Sequence, residues 1–184
     1  MPLTLSLTAR GPLDGRVAAY AHVSVTPMPA ASRLSLRARP DAIAALSKAL
    51  GFDLPIKPKT SASKGSRTAF WLGPDEWLVI DEAGKNLVAE CSKAKVLHSA
   101  TDVSERNTAI MVSGLNAEAT LSAGCPQNLT DKVFPVGAVS RTLLGKSEVI
   151  IHRAGAHSFR VECWRSFSDY VFTFLSEAGR DSVA

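Results

Sequence analysis

At 184 residues, with 46% hydrophobic and 21% charged side chains, the chain has the makeup of a globular protein of one large or two small domains. A net charge of +4 is too weak to mark a nucleic-acid binder, a class that gathers its basic residues into one patch. Three scattered cysteines, Cys91, Cys125 and Cys163, exclude a disulfide framework and a Cys-x-x-Cys metal site, and they point to a reducing, cytoplasmic compartment.

Residues 1–31 read as an amino-terminal arm. Leu3, Leu5 and Leu7 alternate with polar residues, and Val17 to Val25 offers a second extended run. Gly11-Pro12 and the pair Pro27 and Pro29 interrupt any longer element. Such an arm serves as edge strands of the chain's own sheet or as a partner contact. No basic segment followed by an apolar block marks a signal peptide, and no run nears the roughly 20 apolar residues that span a bilayer. A soluble protein without a membrane anchor is expected.

The body, residues 32–184, opens with the alternating strand Arg33-Leu34-Ser35-Leu36-Arg37. Pro40 then starts a helix with Ile43, Leu46 and Leu50 on one face, and Gly51 stops it. Pro55 to Arg67 reads as a polar, basic loop carrying Lys57, Lys59, Lys64 and Arg67, either a solvated surface or a dock for an acidic partner. Next comes Trp71-Leu72-Gly73-Pro74-Asp75-Glu76-Trp77-Leu78-Val79-Ile80, two apolar arms around a Pro-Asp turn. Neither arm alternates. Successive strand residues point to opposite faces, so both faces of this hairpin are apolar and each needs a cover. Leu87, Val88, Cys91 and Ala94 mark a short helix, and Val96 to Val103 another strand.

A second pass repeats the order. Thr108 to Val112 is a strand, and Asn116 is placed to cap a helix that Gly124 ends. A loop through Pro126 to Pro135 leads to a hairpin, Val139 to Leu144 and Glu148 to His152, and then to the strand Ser158 to Trp164. In the last helix Phe167, Tyr170, Val171, Phe174 and Leu175 fall at helical spacing, with Ser166 as cap and Gly179 as stop. Core packing is expected for Phe167 and Tyr170. Residues 32–95 and 108–178 thus read as two βαββα-like repeats. The fold class is α+β, with mainly antiparallel sheets and packed helices.

Signatures of chemistry are sparse. No Gly-x-Gly-x-x-Gly follows a strand. Gly145-Lys146-Ser147 lacks the glycine five positions earlier, where Ser140 stands, and precedes a strand rather than a helix, so it is no phosphate loop. His152 and His157 flank a turn without a third ligand, and His22 and His98 stand alone. Cys125 follows a helix carboxy terminus, which does not activate a thiol. Asp102, Glu105, Asp131 and Asp169 are not paired by spacing. The basic loop has no aromatics for base stacking. No residue earns a catalytic, cofactor-binding or metal assignment, and weight shifts from enzyme toward subunit or binding module.

An ordered set of segments carries a family resemblance. It comprises Trp71 to Leu78, Asp102-Val103-Ser104 with Arg106, Leu121-Ser122-Ala123-Gly124-Cys125-Pro126, Phe134-Pro135-Val136-Gly137, Arg141-Thr142 and Arg165-Ser166-Phe167-Ser168-Asp169-Tyr170. Spread over residues 65–178, they resemble the gamma subunit of heterotetrameric sarcosine oxidase. That family is similar in fold to the folate-binding T-protein of the glycine cleavage system. The resemblance implies a non-catalytic subunit packed mainly on an alpha subunit, with beta and delta subunits in the same complex. That complex demethylates sarcosine to glycine, giving hydrogen peroxide and formaldehyde or 5,10-methylenetetrahydrofolate. FAD, FMN, NAD and tetrahydrofolate are implied for the partner subunits, and none for this chain. A stand-alone folate-binding or aminomethyltransferase-like protein is the alternative, and a nucleic-acid module ranks behind it. On the subunit reading, Trp71 and Trp77 are either core residues or interface anchors.

Overall fold

The computed structural model describes residues 11–182, so the Leu3/Leu5/Leu7 run lies outside the described residues. The strands are β1 (Ala18–Tyr20), β2 (Val23–Pro27), β3 (Ser32–Ala38), β4 (Ser61–Lys64), β5 (Arg67–Gly73), β6 (Glu76–Asp81), β7 (His98–Asp102), β8 (Asn107–Ser113), β9 (Val139–Leu144), β10 (Ser147–Gly155) and β11 (Ser158–Trp164). The helices are α1 (Ile43–Leu50), α2 (Leu87–Cys91), α3 (Ala117–Ser122) and α4 (Ser168–Asp181).

Two antiparallel sheets form, in the order β4-β5-β6-β3-β7 and β1-β2-β8-β11-β10-β9. They pack face to face with helices outside. Leu34, Leu36, Trp77 and Val79 join Leu46, Leu50 and Leu87 of α1 and α2 in one core. Val112, Ile151 and Val161 join Leu121, Val171, Phe172 and Leu175 of α3 and α4 in another. Between the sheets, Phe70, Leu78 and Ile80 meet Val139 and Ile150. Both faces of the apolar hairpin are therefore covered from within the chain. Its helix side holds Ala69, Trp71, Trp77 and Val79, and its other side meets the second repeat.

The repeats share one topology, strand, helix, three-stranded meander, helix. This corrects the βαββα order by one strand. Residues 61–64, read as part of a polar loop, form edge strand β4, with Ala62 opposite Ala69 of β5. A small-residue run such as Ser-Ala-Ser-Lys has no apolar alternation to announce a strand, and pairing with β5 is what orders it. Each meander ends beside its first strand, giving β4-β5-β6-β3 and β9-β10-β11-β8. The strand preceding each repeat then crosses over. β2, ahead of the first repeat, pairs with β8 of the second, and β7, ahead of the second, pairs with β3 of the first. Within the amino-terminal arm, β1 is an edge strand and β2 an interior one.

Local chemistry sets the ends. After α1, Gly51 adopts φ 80°, its N–H reaching Lys48 O, while Phe52 N–H bonds to Ser47 O. Asn86 caps α2 by accepting from Ala89 N–H at 3.0 Å. Asn116 does not cap α3. Its amide donates instead to Ser182 O at 2.7 Å, tying the end of α4 to the start of α3. Gly114, at φ 125°, lets β8 turn into α3 against the backbone of His22, where a Cβ would sit 2.2 Å from His22 O.

Helix α4 corrects the expected core stripe. Ser168, Val171, Phe172 and Leu175 are buried, whereas Phe167 and Tyr170 are 46% and 39% exposed. The period is helical as expected, but the buried face is rotated by one residue. Ser166 makes no capping bond, and Ser168 Oγ donates to Arg165 O at 2.7 Å. Gly179 does not stop the helix but lies within it, where a Cβ would stand 3.3 Å from Tyr20 and Val23. Small residues, rather than the largest ones, mark where this helix approaches the sheet closely.

Candidate interaction site

Trp77 is fully buried, and its indole N–H donates to Pro55 O at 2.7 Å. Trp71, directly across on β5, is half-buried on the same face. The turn between them is held at both sides. Arg37 donates to Asp75 at 2.8 Å, and Arg141 of the second repeat pairs with Glu76. Trp77 is thus a core residue rather than an interface anchor.

Charged side chains that the sequence left scattered converge inside. Arg33 of β3 reaches between the sheets, its Nε 2.7 Å from Glu162 Oε2 on β11. Arg160 Nε donates to the other oxygen of Glu162 at 2.8 Å, and Arg160 Nη1 to Glu82 at 2.8 Å. Glu162 is 1% exposed, and an unpaired carboxylate there would cost several kcal/mol, about the scale of a lost buried ion. A second knot joins Arg67 to Asp81 at 2.7 Å and to Glu90 and Leu50 O. Burial pushes the Asp81 carboxyl up, but the bonds from Arg67, Ala83 and Ser66 outweigh it and hold it below the usual range. Arg67, read as part of a basic loop, is therefore internally neutralised. In β11 the alternation of Arg160 and Glu162 was visible, but it signals an ion pair only once both faces of that strand are known to be buried.

The histidines do not converge. His152 lies opposite Arg160 in the sheet, away from the exposed His157. Its ring stacks on Phe70 at 4.7 Å, and Nε2 sits 3.1 Å from Ser61 Oγ. Because Ser61 Oγ already donates to Gly137 O at 2.7 Å, it accepts from His152, so Nε2 carries the proton. Nδ1 is buried without a partner. Burial, then the positive field of Arg160, lowers the His152 pKa to about 4. The thiols are equally quiet. Burial pushes Cys91 to about 11 and Cys163 to about 12. Among the described residues no three His, Cys, Asp or Glu side chains are grouped to hold a metal ion.

The ordered segments singled out in the sequence are joints. Asp102 accepts from Ser104 N–H at 2.8 Å where the chain leaves β7, and Arg106 O accepts from Arg165 N–H at 2.7 Å. Gly137 O receives Ser61 N–H at 3.1 Å, and Tyr170 Oη receives Lys146 N–H at 3.1 Å. The side chains left over face outward in two places. At one end of β11, Trp164 is 44% exposed, packed against Phe167 and the Arg106 guanidinium. Beside α1, an open groove of about 1150 Å³ runs between the helix, the segment 51–56 and β4. Ile43, Phe52, Leu54 and Ile56 supply apolar lining, and Lys48 and Lys64 supply charge. No helix among the described residues is long and apolar enough to cross a membrane.

A family model described as sarcosine oxidase, gamma subunit family, matches residues 36–181. The sarcosine oxidase subunit gamma of Corynebacterium sp. (strain P-1) is 32% identical over 157 residues, covering 80% of this chain and 75% of that protein. Its counterpart from Arthrobacter sp. is 31% identical over 153 residues, with the same coverage. Among solved structures, a chain of heterotetrameric sarcosine oxidase from Corynebacterium sp. U-96, in complex with pyrrole 2-carboxylate, superposes with a TM-score of 0.87. It is 26% identical, and the match covers 96% of this chain and 97% of that one. The glycine cleavage system aminomethyltransferase T from Bartonella henselae follows at TM-score 0.65 and 15% identity, over 84% of this chain and 45% of that one, a likeness of fold alone.

Proposed function

The chain belongs to the sarcosine oxidase gamma subunit family, and we propose that it is a non-catalytic subunit of a heterotetrameric sarcosine oxidase. The near full-length superposition on a chain of that complex carries the proposal. The disposition of titratable groups supports it. Glu162 and Asp81 are bound in ion pairs, His152 is a neutral bridge between sheets, and Cys91 and Cys163 are thiols far from ionising at neutral pH. On this reading the alpha subunit is the direct partner, with beta and delta subunits in the same cytoplasmic complex. FAD, FMN, NAD and tetrahydrofolate reside in those partners, where sarcosine is oxidised to glycine. The chain itself acts as a rigid unit, two repeats sharing interdigitated strands, that the larger subunits hold.

The test is co-expression with the alpha, beta and delta subunits of a heterotetrameric sarcosine oxidase. The expected result is a single species in which this chain and the flavin absorbance elute together. A folded, colourless monomer that never joins those chains overturns the proposal. Calorimetry of the isolated chain with tetrahydrofolate separates the stand-alone folate reading, and no binding heat is expected.

A further inference from the structure

Every ion pair among the described residues uses an arginine, and none uses a lysine. Among the described residues most arginines are held by carboxylates in this way, whereas the lysines are left without an ion pair. Two of these, Lys48 and Lys64, line the groove beside α1, and the exposed Lys57 is the next residue in the chain after Ile56, a lining residue that is 68% exposed. Asp53 is the only carboxylate in the lining. At about 1150 Å³ the groove exceeds the usual small-molecule pocket of about 300–1,000 Å³, and it is open rather than enclosed. Its shape suits a chain segment laid along it, with apolar residues on Ile43, Phe52 and Ile56 and charge at the rim.

We propose that this groove is a docking site for an apolar segment with acidic flanks, contributed by a larger subunit of the complex; the inference rests on the subunit role proposed above. Charge complementarity selects that occupant. A basic rim attracts aspartate and glutamate, and the apolar floor requires a segment that buries side chains between them. A second copy of this chain fits poorly, because it carries a net charge of +4 and its carboxylates are mostly committed to its own arginines. Docking here also places the partner over the helix layer of the first repeat, leaving the sheet-to-sheet contact undisturbed.

The test uses the co-expressed complex. Lys48→Glu/Lys57→Glu reverses one lining charge and the charge next to Ile56, and spares Lys64, whose amine holds Gly51 O at 2.8 Å. Affinity for the flavin-bearing chains is expected to fall about tenfold at low salt, with a weaker salt dependence than the wild type. The lone chain should keep its thermal midpoint, because both lysines are exposed. In parallel, Ile56→Cys is labelled with a benzophenone maleimide, the three native thiols being buried and free. Irradiation is expected to yield an adduct to a larger chain, at a segment rich in apolar residues and flanked by Asp or Glu. Unchanged affinity on charge reversal overturns the groove assignment while leaving the subunit role standing. An adduct only to a second copy, or to a basic segment, does the same. Failure of the wild-type chain to elute with flavin overturns the subunit role, and the docking assignment with it.

Discussion

The two repeats are built alike and finished differently. Both run through strand, helix, meander and helix, and both place the first strand beside the third strand of the meander. The second repeat lays the 14-residue α4 across its sheet, and Val171, Phe172 and Leu175 seal that face. The first repeat has only the eight-residue α1 and the five-residue α2 to do the same work, and beside them lies the open groove. Lysines follow the same division, with Lys48, Lys57, Lys59, Lys64, Lys85, Lys93 and Lys95 in the first repeat against Lys132 and Lys146 in the second. The lesson is that sheet geometry is held in common, while the outer layer is free to differ. The thinly covered repeat is where a partner has most to gain by binding.

That comparison can be broken first at the shared interior. Glu162→Ala leaves Arg33 charged and unpaired between the sheets, and a loss of about 3–5 kcal/mol is expected in urea unfolding. Replacing Arg33, Glu162 and Arg160 together by apolar residues of similar size should recover most of it. A single cooperative transition in every variant shows that the repeats are one unit, and two resolved transitions would show that they are not. Trp77→Ala tests the first repeat alone. It opens a cavity under α1 and leaves Pro55 O without its donor, at a cost of about 3–5 kcal/mol in the isolated chain.

A smaller effect reports on the contact between the repeats through His152. Its folded pKa, about 4, lies below the ordinary 6.5, so the unfolded chain takes up the proton first. Stability from this site is complete above about pH 6.5 and is lost as pH falls toward 4, by at most about 3 kcal/mol. Thermal midpoints of the wild type should fall through that window, and those of His152→Phe should fall less. Equal slopes would remove His152 as the cause. The smallest change is expected just ahead of α4. Phe167→Ala should alter stability by less than about 1 kcal/mol, because its ring is half exposed. A loss of several kcal/mol would instead restore that ring to the core.

Much of this arrangement was legible in the local pattern of residues. The hairpin with two apolar faces called for a cover on each side, either a second layer of the chain or a partner, and the structure supplies both covers from within the chain. The recurrence of element order gave the two repeats, and the ordered segments from Trp71 to Tyr170 pointed to the family. The phase of α4 was not legible. Phe167 and Tyr170 fit the helical period, but Ser168 and Gly179 face the sheet, because the closest approach of helix to strand selects for small residues. Strand β4 was hidden for a related reason, its order coming from a neighbour and not from its own apolar pattern.

The remaining features arise only from contacts between distant segments. Arg33 and Glu162 stand 129 residues apart and meet only because the two sheets stack. The crossing of β2 and β7 between repeats likewise depends on that stacking. Periodicity records which faces of an element avoid water, a local property that the chain carries everywhere. Which surface then supplies the cover, which charges meet beneath it and which groove stays open are set by the packing of distant segments, and no local pattern encodes them.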